Sequence, residues 1–158
     1  LLNFIGGKNM PKKGTQLLGT TTNDEGQQGT YGEYNETIVT SANAVSLVTT
    51  VSKTVMSKSL PAGDWEVSGV VNFIPTATTS ITQLQEGISL TANTLGSDNT
   101  YTSDSMPAYV SGGLIQRKNI PTQRILIATT TTIYVVANAT FTVDTLTAFG
   151  ILHCRRMR

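Results

Sequence analysis

The chain has 158 residues, 39% hydrophobic and only 13% charged, about half the charge of an average domain. Its formal net charge of +1 excludes the strongly basic face that nucleic-acid binding requires, and its single cysteine, Cys154, excludes an internal disulfide. Thr and Ser fill about a quarter of the sequence, and β-branched Thr favours a pleated surface over a helix.

Residues 1–30 read as a linker or the end of a stem, and residues 31–158 as one domain. Leu1–Ile5 is a short apolar patch, too short for the core of a signal peptide. Starting at Leu1 and not Met, the sequence reads as part of a longer protein. A Gly- and Lys-rich segment and the polar run from Thr20 to Gly29 follow. An arm folded along a neighbouring subunit is the second reading of this lead-in.

Short strands begin after Tyr31. Tyr34–Thr40, Val45–Val48 and Lys53–Leu60 come first, then a turn at Pro61-Ala62-Gly63-Asp64. From Trp65 to Ile74 the pattern alternates and then becomes continuously apolar, as in a buried strand. Trp65, Val67 and Gly69 share one face, Glu66 and Ser68 the other, and Pro75 ends the run. Ile81–Leu90 fits helical or strand spacing, and Gly87 with the Thr-rich flanks favours a strand. Residues 91–119 form the longest irregular stretch, with Gly96, Pro107, Gly112 and Gly113; loops of that length are functional or disordered. Gln123–Ala128, Thr132–Phe141 and Leu146–Cys154 close the chain as antiparallel neighbours, with Val143-Asp144 in the last connection. About eight strands and no convincing helix predict an all-β, antiparallel jelly-roll sandwich. The Cys…Trp…Cys pattern of immunoglobulin domains is absent from the sequence.

The residues of catalysis are scarce. His153 stands beside Cys154 in a strand, where neighbours point to opposite faces and do not meet as base and nucleophile. Two such residues are too few for a zinc site. The ten acidic residues are scattered, and Asp64 with Glu66 reads as a solvated pair, not as the facing carboxylates of a glycosidase. No Gly-rich phosphate loop precedes a helix. The expectation is a non-enzyme with no cofactor and no metal. Asn35-Glu-Thr37 and Asn138-Ala-Thr140 match the glycosylation sequon by chance in a Thr-rich chain.

Three stretches carry a resemblance: residues 19–34, Leu60-Pro-Ala-Gly-Asp-Trp-Glu-Val-Ser-Gly69, and the carboxyl end from Thr129 to Arg158. Together they resemble carboxyl-terminal domains of tailed-bacteriophage tail proteins, most of all the trimeric knob that tips the tail needle of short-tailed phages. That knob is similar to the jelly rolls of tumour necrosis factor and complement C1q. The resemblance implies a homotrimer in the virion, joined to the tail through an upstream stem, meeting the bacterial envelope or a surface receptor and gating genome ejection. A capsid or head-fibre decoration protein and a C1q-like or lectin-like binding module are the alternatives.

Two sets of residues follow as expectations. Tyr101, Asp104, Tyr109, Arg117, Lys118 and Arg124, in or beside the long loop, are candidates for ligand or receptor contact. For Arg117, Lys118 and Arg124, solvated edge charge that deters strand aggregation is the favoured reading. Tyr134, Val136, Phe149, Arg155 and Arg156 are candidates for a trimer interface, because adjacent apolar strand residues cannot all face one core.

Overall fold

A computed structural model describes residues 28–158. The expected lead-in therefore lies almost wholly outside the described residues. Nine strands follow: β1 (Tyr34–Val39), β2 (Val45–Ser46), β3 (Lys53–Leu60), β4 (Gly63–Pro75), β5 (Ser80–Ser89), β6 (Tyr101–Val110), β7 (Gln116–Ile127), β8 (Thr131–Thr142) and β9 (Leu146–Arg156). One sheet has the order β1-β9-β4-β7, with β2 also on β9, and the other β3-β8-β5-β6. All pairings are antiparallel. The chain crosses between the sheets at every step except β1 to β2 and β5 to β6, so β7, β8 and β9 do not pair with one another as the short connections led one to expect, while the expected all-β antiparallel sandwich holds.

Alternation builds the core. Trp65, Val67, Val71 and Phe73 on β4, Leu152 on β9 and Ile133 on β8 point between the sheets and are fully buried. Each large side chain of this kind stabilises the fold by about 1.5–3 kcal/mol. Trp65 also donates its indole N–H to the Pro61 carbonyl at 3.0 Å. At Gly150 the backbones of β9 and β4 come so close that a Cβ would lie 1.9 Å from the Val70 carbonyl oxygen.

The expected loop over 91–119 needs correcting. It contains β6 and the first four residues of β7. Pro107 and Pro121 concealed these strands, yet both lie in edge strands, where only one side carries ladder bonds and proline is tolerated. Pro121 also falls at the bulge where β7 slips register against β4.

The sandwich has two distinct ends. At the base the described chain enters and leaves: Tyr34 pairs with Arg155, Gly32 N–H donates to the Arg156 carbonyl at 3.0 Å, and Met157 N–H to the Asp64 carbonyl at 2.8 Å. At the opposite end, the crown, lie the loops 47–52, 76–79, 111–115 and 143–145.

Candidate functional site

The base is ionic and locked. Arg156 and Glu33, both nearly inaccessible, meet at 2.7 Å. The guanidinium also donates to the Ala62 carbonyl at 2.9 Å and lies over the Trp65 ring at 4.4 Å. Burial raises the Glu33 carboxyl, but hydrogen bonds from Gly29 N–H, Arg156 and Asn35 outweigh it and hold the group below its ordinary value. Asp64 accepts a two-point contact from Arg124 at 2.8 and 2.7 Å and a third bond from Arg158 at 2.7 Å. The Arg124 hydrogen bond leads in holding Asp64 down at about 2.

The interior holds two titratable groups with no role in these networks. Glu86, 1% exposed, points from β5 between the sheets, and neither carboxyl oxygen has a hydrogen-bond partner among the described residues. Burial pushes it up to about 8; Lys118 opposes this and Asp104 adds to it. Burial likewise pushes the Cys154 thiol up to about 12. His153, next in the chain, is on the outer face, where it touches the Tyr34 hydroxyl and stands 3.4 Å from Glu36.

The residues singled out in the sequence do not converge. Tyr101 and Tyr109 sit near opposite ends of β6. Asp104 and Lys118 do meet, in an ion pair between the edge strands β6 and β7. Arg124 belongs to the base through Asp64. Arg117 borders a depression of about 490 Å³ on the outer face of the five-stranded sheet, beside Ile38, Val70, Phe149 and Ile151. Of the interface candidates, Phe149 lines that depression, Tyr134 is half-buried on the outer face of the other sheet, and Arg155 is exposed. Arg156 is spent within the chain on Glu33. Val136 lies between Thr54 and Gly87 and is fully buried. The loop after β5 returns across β8 to the far edge, where Asn93 exchanges two hydrogen bonds with Thr54, at 2.8 and 2.9 Å.

The crown was not legible as a unit. Its loops lie side by side. Gly113 is 3.8 Å from Ala77 (measured from an ideal Cβ), Thr78 Oγ1 donates to Asp144 at 2.9 Å, and Phe141 N–H donates to Thr49 Oγ1 at 3.0 Å. Val110, Leu114 and Ile115 project around the Gly112–Gly113 turn, with Tyr109 just below. Val143 is 68% exposed in the next loop but one, and Val48 and Val51 are exposed at the far end of the row. Seven of the twelve large exposed hydrophobic side chains among the described residues thus crowd one end. The four loops carry one charge, Asp144. Its carboxyl is held below the ordinary value, chiefly by hydrogen bonds from Thr76 and Thr78.

Among the described residues no three His, Cys, Asp or Glu side chains gather as metal ligands would. No protein-family model matches the chain, and none of the curated proteins matches it. Solved structures of infectious bursal disease virus are similar to the chain. The T13 viral particle matches at 14% identity and a TM-score of 0.47, over 90% of this chain and 36% of that one. The Gx strain gives 14% and 0.48, over 90% and 37%. The VP2 subviral particle gives 12% and 0.43, over 80% and 30%. The chain thus spans about a third of the length of those proteins. The fold itself rests on the strand order, not on these likenesses.

Proposed function

We propose that the domain is a structural component of a virion, held at its ionic base and presenting the crown outward. One observation carries this reading. The described chain enters and leaves at the end that ion pairs lock, while the uncharged, apolar loops gather at the other. A domain with that polarity suits a projecting knob. With the resemblance of residues 19–34, 60–69 and 129–158 to phage tail proteins, it supports the distal knob of a tail needle or fibre, acting in host attachment. The second reading is a capsid or head-fibre decoration protein, in which the crown or a sheet face would lie against a shell.

The depression formed by Ile38, Val70, Phe149 and Ile151 is the surface that a homotrimer would cover. A stable monomer at micromolar concentration in sedimentation velocity would remove the trimer.

Immunogold labelling of intact particles, with an antibody to this domain, tests the placement. Gold at the tail tip supports the knob. Gold scattered over the shell overturns it in favour of decoration, and particles without gold overturn the virion reading altogether.

A further inference from the structure

We infer that the crown is a lipid-docking surface, in which Val110, Leu114, Ile115 and Val143 enter the boundary between headgroups and acyl chains of a bilayer. The inference deepens the proposed function and rests on its reading of the crown as the outward end.

Val143 is the strongest single observation. It has φ +57° and the next residue, Asp144, φ +70°, so the connection that carries the chain from β8 in one sheet to β9 in the other turns through two left-handed residues. Gly, or Asn and Asp among the other residues, is the ordinary choice at such positions. A β-branched side chain at positive φ is a genuine outlier. Its 68% exposure means that packing within the chain does not compensate for the strain. Strained, apolar and exposed, Val143 has its use outside the chain.

The row of loops extends the same argument. Val110, Leu114 and Ile115 are 56%, 64% and 46% exposed at the tip of the connection between β6 and β7. Gly112 and Gly113, both at positive φ, make a tight turn that holds these side chains apart and pointing out. Tyr109, below the tip, has the apolar body and polar end that settle at the headgroup level.

The chemistry selects a bilayer over a rigid partner. A specific protein interface buries roughly 800 Å² on each side in close complementarity. Here single side chains protrude from separate loop tips, with Gly, Ser and Thr backbone between them. A fluid acyl boundary accommodates such an uneven row. The loops hold no Lys or Arg, and their one carboxylate is tied by Thr hydroxyls. An uncharged face matches a zwitterionic surface, so attraction comes from apolar burial and does not require anionic lipid.

Flotation of the intact 158-residue chain with phosphatidylcholine vesicles tests this. The chain is expected to float equally at low and high salt. Leu114→Ser with Ile115→Ser lowers the bound fraction about tenfold, since binding scales with buried apolar area. Val143→Asn lowers it while raising the urea midpoint, a combination that a merely structural role would not produce. Leu126→Ser, which removes an equally exposed side chain at the base, leaves binding unchanged. Absence of flotation overturns the inference, as does flotation with anionic vesicles alone. It also falls if the chain self-associates without vesicles and the Leu114/Ile115 variant loses that association, since the occupant is then a second copy. Failure of flotation beside gold at the tail tip removes the lipid and leaves the proposed function standing.

Discussion

Glu86 makes stability depend on pH in an unusual direction. Its carboxyl ionises near 4.5 in the unfolded chain but only near 8 in the fold, where burial opposes the charge. Between those values the unfolded chain has released the proton and the folded one has kept it, so stability falls as pH rises. The slope is about 1.4 kcal/mol per pH unit, which gives a loss of about 3 kcal/mol by pH 7, levelling off above pH 8. Glu86→Gln keeps the shape and removes the ionisation. The buried amide lacks partners much as the protonated carboxyl does, so the two proteins should be similar near pH 4.5. Urea unfolding from pH 5 to 8 should then show the variant gaining steadily on the parent, by about 3 kcal/mol at pH 7. Parallel curves for the two proteins would refute the reasoning, since some other group would then carry the dependence.

Other perturbations have defined outcomes. Arg156→Met strands the buried Glu33 carboxylate and should destabilise by about 3–5 kcal/mol in chemical denaturation; Arg156→Met with Glu33→Gln should recover part of that loss. Asp64 contributes stability above its unfolded value of 3.8, lost as pH falls through about 2, so Asp64→Asn should flatten the acid limb of the unfolding profile. Cys154 is fully buried with its thiol near 12, so an aromatic disulfide reagent at pH 8 should label it only as fast as the domain opens. Labelling at the rate of a free thiol in the native protein would contradict that burial. Gly150→Ala drives a methyl into the Val70 carbonyl and should weaken the β4–β9 pairing by about 3 kcal/mol, read as a fall in the thermal midpoint.

The strands that build the core were legible because they have one wet face and one dry face. Trp65, Val67, Val71 and Phe73 announce β4 by their spacing, and β8 and β9 do the same. β6 was hidden for the opposite reason. It is an edge strand, largely of Tyr, Thr, Ser and Asp residues, with no buried position, and Pro107 reads as a break. The ion pairs of the base join residues up to 123 positions apart, and only the topology brings Glu33 to Arg156. The crown is harder still. Its apolar residues come singly or in pairs from loops between different strands, so no window of sequence contains it. One local signal was present, the Val-Asp pair in a short connection between two strands. Val136 shows the converse error of sequence reasoning: an outward strand position need not face solvent when a loop of the same chain lies across it.

The prolines of β6 and β7 matter beyond the single molecule. A sheet edge is a template on which another strand can grow, and that hazard rises steeply where many copies stand close together. Pro107 and Pro121 leave gaps in the donor rows of the two strands that end the sheets on one side. On the other side, β3 places Lys53 and Lys58 along its edge. Copies packed shoulder to shoulder would therefore meet through side chains, in countable contacts, and not zip into an endless ribbon.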